Sequence, residues 1–299
     1  MNSVQTHILS IPSPFAFENG VVKVLEPPET DQRTLANRLL GGRYEKPYVV
    51  DDGSLRSLYF SFAFVQSAMR VSKPNSLELA YTRKMMSFLL FQPHPKCILM
   101  LGLGGGSLAK FCYQHLTETK ITVIEINPHV LAFRNEFKIP ENSERFQVML
   151  GDAAEYVASC HSKYDVIATD AFDRCGFASS VCNWEFYENL RRLLADNGLI
   201  VSNMAGLREE KMAHLKMLSD IFGERTLAVP VGRDDNHVAL AFNHPDFEPC
   251  WQTVHGRAKS LSKSIGLDFD KFARKFERSE KLDYVKRSFL SSIGLSSDA

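Results

Sequence analysis

The chain has 299 residues, 44% of them hydrophobic, and its 35 lysines and arginines balance 35 aspartates and glutamates. That length suffices for a large buried core, and the even charge excludes a global field toward nucleic acid or an anionic membrane, which leaves a small molecule as the expected ligand. No apolar run reaches membrane-spanning length, and Met1–Phe17 lacks the basic start and continuous apolar stretch of a leader, so a cytoplasmic protein with no membrane partner is expected.

Short β-type runs come first: Val21–Leu25, Tyr48–Val50, Leu58–Phe62 and Phe64–Val71, separated by Gly, Pro and Asp. They predict a small β-rich N-terminal domain over residues 1–75. Pro74-Asn75-Ser76 breaks the chain; Leu79–Phe91 then has helical apolar spacing that Pro93 and Pro95 stop. From residue 97 strands and helices alternate. Strands at 97–103, 121–126, 145–149, 164–169 and 198–204 are followed by helices at 106–117, 128–137, 152–160, 183–195 and 208–222. This predicts a second domain over 76–299, an α/β unit with a parallel sheet whose winding reverses at its first strand, where ligands bind. Arg225–Val229 and His237–Phe242 predict an antiparallel closing pair. The tail, with Leu261, Ile265, Phe269, Phe272 and Phe276 at helical spacing, predicts a packing helix. The six cysteines show no Cys-x-x-Cys or Cys/His ligand spacing, so reduced thiols and no metal are expected.

Within this order, Cys97–Leu101 runs straight into Gly102-Leu-Gly104-Gly105-Gly106-Ser107. Glycines let the backbone turn sharply and approach a ligand, and Glu125, ending the next strand, is placed to accept both ribose hydroxyls. A dinucleotide loop has Gly-x-Gly-x-x-Gly around a pyrophosphate; the Gly-x-Gly-x-Gly here suits a nucleoside sulfonium ligand, which carries no phosphate. Gly102, Gly104, Gly105 and Gly106 are therefore candidate cofactor-binding positions together with Glu125. Gly151-Asp152-Ala153 follows the third strand, where Asp152 is placed either to accept from the adenine amine or to cap the helix, with Ala153 beside it. Asp170 ends the fourth strand and Asp173 follows; together they make an anionic zone suited to an amine that must lose a proton before it attacks.

These features resemble the spermidine synthases and other polyamine aminopropyltransferases: the Gly102–Gly106 loop, Glu125, Gly151-Asp152, Asp170-Ala-Phe-Asp173 with Gly176 after it, Phe186-Tyr187, and the β-rich segment before them. The resemblance implies a Rossmann-like sheet of the class I methyltransferase type and decarboxylated S-adenosylmethionine as co-substrate. It also implies Asp170 as catalytic base, Asp173 and Tyr81 as acceptor-binding residues, Gln66 as a donor-site residue, and a homodimer. The chain departs from the family pattern at Gly105, where the relatives carry an acid that holds the donor amine; at Arg174, where they carry proline; and at Pro230–Asn236, which has no tyrosine. Three readings stand on these residues: aminopropyl transfer to a small amine, methyl transfer from ordinary S-adenosylmethionine to a small amine, and nucleoside binding without turnover.

Overall fold

The computed structural model describes residues 7–16, 19–61, 64–171, 179–181, 183–223, 225–232 and 236–292. Two sheets organise it. The first is antiparallel, in the order β1 (Leu9–Pro12), β2 (Val21–Val24), β3 (Tyr48–Asp51), β4 (Leu55–Ser61), β5 (Phe64–Arg70), with helix α1 (Gln32–Leu40) between β2 and β3. The sequence reading did not anticipate β1 or α1. The helix is short, but its signal was present: Asp31 caps it by accepting from the Thr34 amide at 2.7 Å, and Leu35 and Leu39 bury one face.

The second sheet has seven strands. After α2 (Ala80–Met85) and a 3-10 segment (Met86–Leu90), it is built from β6 (Cys97–Leu101), α3 (Ser107–His115), β7 (Lys120–Glu125), α4 (Pro128–Ala132), β8 (Phe146–Leu150), α5 (Ala153–Ser159), β9 (Tyr164–Thr169), α6 (Trp184–Leu193), β10 (Leu194–Met204), α7 (Arg208–Phe222), β11 (Thr226–Pro230) and β12 (His237–Phe242). Its order is β11-β12-β10-β9-β6-β7-β8. Strands β8, β7, β6, β9 and β10 are parallel; β12 and β11 close the edge antiparallel. The winding reverses at β6, as expected, which opens the crevice at the carboxyl ends of β6 and β9. Helices α8 (Trp251–Ile265) and α9 (Phe269–Ser292) replace the single expected packing helix, divided where Gly266 adopts a left-handed φ of 79°. Among the described residues no helix is long and apolar enough to cross a membrane.

Two expected helices are shorter or tighter than the apolar spacing implies. The 79–91 segment is α-helical only to Met85 and continues as a 3-10 turn whose residues are all buried. The 128–137 helix stops at Ala132 and continues as turns, with Lys138 at φ 54°. Leaving the helix there brings Phe137 and Ile139 against the glycine loop.

Alternate residues of β6 enter different cores, as the two-residue strand period requires. Ile98 and Met100 face a core that also holds Leu58, Phe60 and Met69 of the first sheet and Val254, Phe269 and Phe276 of the last two helices. Leu99 and Leu101 face a second core under α5, α6 and α7. A junction of charges adds to the first contact. Glu136, in the turn after α4, pairs with Lys23 of β2 at 2.5 Å and with Arg56 of β4 at 3.0 Å, and Arg56 also bonds Asp51 of β3.

Candidate functional site

The site begins with a close approach of two backbones. Gly102 has φ 98°, and a β-carbon there would collide with the carbonyl oxygen of Asp170. Only glycine lets the ends of β6 and β9 come this near, and the Asp170 amide completes the join by donating to Leu101 O at 2.9 Å. Gly104 and Gly106 follow at φ 52° and 66°, and Gly106 starts α3. A β-carbon on Gly106 would lie 2.6 Å from Ile139, so this glycine also serves close packing.

Glu125 holds the loop from below. It is buried; Oε2 accepts from the Leu103 amide at 2.9 Å and Oε1 from the Asn127 amide at 2.8 Å. Burial raises its carboxyl above the ordinary value, while these amides partly offset the rise. Asp152 caps α5: its Oδ1 accepts from the Ala154 amide at 2.6 Å and the Glu155 amide at 3.2 Å, with Ala153 buried as the first helical residue. Ile126 and Leu150, next to these two acids in the chain, are exposed apolar residues.

Three predicted residues from distant parts of the chain converge at the tip of β9. Asp170 Oδ2 accepts from the Tyr81 hydroxyl at 3.1 Å, and the same hydroxyl lies 3.3 Å from the Gln66 carbonyl oxygen. Gln66 is the extra residue of a β-bulge: Leu58 pairs with Ser67 and Tyr59 with Val65. That bulge turns the β5 backbone toward Tyr81. Asp170 Oδ1 accepts from Asn203 Nδ2 at 2.8 Å. Burial pushes the Asp170 carboxyl up to about 6, against the lowering effect of its two donors. Tyr81 is held protonated by burial and by that carboxylate. Asp173, Arg174 and Gly176 lie outside the described residues. Phe186 and Tyr187 are buried in the second core, where the Tyr187 hydroxyl sits 2.6 Å from His214 Nδ1.

Sequence reading missed Asn203. It is buried at the end of β10, and among the described residues nothing bonds to its Oδ1. A polar side chain closing the run Leu-Ile-Val-Ser-Asn-Met was the available signal. Ser67 and Phe137, which flank Gly105, were missed as well.

A carboxyl near neutrality beside a glycine loop at a sheet's reversal point suits proton removal from a ligand bound over the loop. Residues 78–224 match the spermine/spermidine synthase domain family. A polyamine aminopropyltransferase of Chromobacterium violaceum is 30% identical over 234 residues, covering 78% of this chain and 90% of the relative. The chain belongs to the spermine/spermidine synthase family. It is thus a transferase of the kind its curated relatives are named for. Solved structures agree in fold. A spermidine synthase bound to the transition-state analogue AdoDATO superposes with a TM-score of 0.57 at 15% identity, covering 89% of this chain and 98% of the other. Human methyltransferase-like protein 13 bound to SAH gives 0.57 at 21% identity, covering 63% and 93%. The fold is therefore the class I methyltransferase-type sheet that the family resemblance implied, and its parallel strands are those that the alternation of strands and helices predicted.

Proposed function

We propose that this family member transfers the aminopropyl group of decarboxylated S-adenosylmethionine to a small amine and releases 5′-methylthioadenosine. The observation that carries this reading is Asp170, raised to about 6 and held by Tyr81 and Asn203 beside the glycine loop. The carboxylate attracts the protonated acceptor and takes one of its protons. The freed lone pair attacks the methylene bonded to sulfur, the N–C bond forms as the C–S bond breaks, and the bonding pair leaves on sulfur as a neutral thioether. Asn203 Oδ1 offers a second acceptor for an N–H of the incoming amine.

Elsewhere in the site, Glu125 takes the ribose hydroxyls with the lone pairs its amide bonds leave, Asp152 takes the adenine amine, and Ile126 and Leu150 flank the base. Gly102, Gly104, Gly105 and Gly106 let the ligand lie against the backbone, and Gln66 lines the donor side. Tyr81 holds the acceptor together with Asp173, as the family resemblance implies. Holding amine and sulfonium carbon in near contact supplies about 7–11 kcal/mol of the barrier reduction. The active species is a cytoplasmic homodimer that works without a metal.

The test is product analysis with decarboxylated S-adenosylmethionine and a panel of amines. Methylthioadenosine is the expected product, and Asp170→Asn is expected to lower its rate about 10²–10⁴-fold, the range of a lost general base. Exclusive release of S-adenosylhomocysteine from the ordinary donor would move the assignment to methyl transfer.

A further inference from the structure

Helix α2 carries Tyr81 to Asp170, and at six residues it is too short to hold its place unaided. Its first residues have no side-chain cap; Arg83 reaches back to the Leu77 and Glu78 carbonyls at 2.7 and 2.6 Å, and Glu78 pairs with Arg70 of β5. The buried Met86–Leu90 turn fixes where the helix ends, whereas its rotation decides where Tyr81 points. That aim is closely balanced. The tyrosine has one hydroxyl proton and two acceptors within reach, Asp170 Oδ2 at 3.1 Å and the Gln66 carbonyl oxygen at 3.3 Å.

Lys84, three residues on, shares the helix face of Tyr81. It is only 3% exposed, and its Nζ donates to the carbonyls of Pro230 and, at 3.3 Å, Val231. These carbonyls end β11. Because β12 is antiparallel to both β10 and β11, that end lies at the same edge of the sheet as Asp170. Helix α2 spans this edge, packing on β10 and β12, with Tyr81 bonded to the tip of β9 and Lys84 to the end of β11. Among the described residues no carboxylate bears on Lys84; the titratable groups facing it are Lys271 and Lys275 of α9, which with burial push its ammonium down to about 7. An apolar side chain would fill this place without the cost of burying a cation near two others. What the lysine adds is a hydrogen-bonded tether on the face that carries Tyr81. The neutral amine keeps two N–H groups for two carbonyls, so the tether holds on either side of that value.

We propose that Lys84 is a positioning residue, which ties α2 to the end of β11 and so keeps the Tyr81 hydroxyl on Asp170 rather than on the Gln66 carbonyl. This rests on Asp170 as the base of the proposed reaction. With the tether cut, the tyrosine proton turns to Gln66, and Asp170 loses one of the two donors that hold its carboxyl down.

The experiment titrates Asp170 directly, by nuclear magnetic resonance of isotope-labelled aspartate carboxyls with Asp170→Asn for assignment, and records the pH–rate profile of methylthioadenosine release in parallel. Lys84→Met removes the donor and keeps the apolar stem; Lys84→Gln keeps a polar end one bond short of the carbonyls. Each is expected to move the Asp170 midpoint and the acid limb upward by about half to one pH unit. In a Tyr81→Phe background neither is expected to move them further. Denaturant midpoints show which variants are folded. An unmoved Asp170 midpoint in a folded variant would overturn the proposal, and so would a shift that persists without the Tyr81 hydroxyl. Absence of methylthioadenosine from the unmodified enzyme would overturn the proposed function instead, and the carboxyl titration would still decide the role of Lys84.

Discussion

Among the acids at the strand ends, Asp170 differs in its surroundings. Glu125 and Asp152 receive backbone amides, whereas among the described residues Asp170 receives the side chains of Tyr81 and Asn203, and burial raises its carboxyl. A base must be ionised to act, so kcat/KM is expected to rise with pH through about 6, the value to which burial has pushed it. Removing the Asn203 donor raises that value further, so Asn203→Ala is expected to move the acid limb upward by about one pH unit. A pH–rate profile checks this; a residue that merely supported the fold would lower the rate without moving the limb. Asp170 was legible as an acid ending an apolar run. Its partner was not, because Asn203 meets it only through the β9–β10 register, in which Thr169 pairs with Ser202.

The strand, loop and helix around β6 were legible almost whole, because glycine and apolar runs act locally. The turn after α4 was not. Val130, Phe133 and Phe137 have helical spacing, but Phe137 and Ile139 are required against Gly105 and Gly106, and that tertiary demand overrides the local pattern. The short α1, with only Leu35 and Leu39 as its buried stripe, was lost among the strands around it. At this scale Gly102→Ala tests how the loop and β9 are joined. The added carbon meets the Asp170 carbonyl oxygen at a φ of 98°, so a loss of about 2–4 kcal/mol is expected, with turnover falling alongside. Gly53→Ala provides the contrast: its φ is 87° but nothing lies within 4 Å, and about 1 kcal/mol is expected. Denaturant midpoints measure both.

At the scale of the whole molecule, the two sheets share one apolar core. Leu58, Phe60 and Met69 pack with residues from β6 through α9, so neither sheet keeps its buried face without the other. Calorimetric unfolding is therefore expected to show one transition, with calorimetric and van't Hoff enthalpies in agreement; two separated transitions would contradict a shared core. The Pro74-Asn75-Ser76 break lies between β5 of the first sheet and the α2 helix that leads into the second. The Glu136 junction carries this continuity toward the ligand. Glu136 is gripped by Lys23 and Arg56 of the first sheet, and its chain neighbour Phe137 lies against Gly105. A change on β2 or β4 is thus transmitted to the packing against Gly105. Drift among those outer charges gives a lineage a way to reshape the glycine loop while every residue of the loop itself stays as it is.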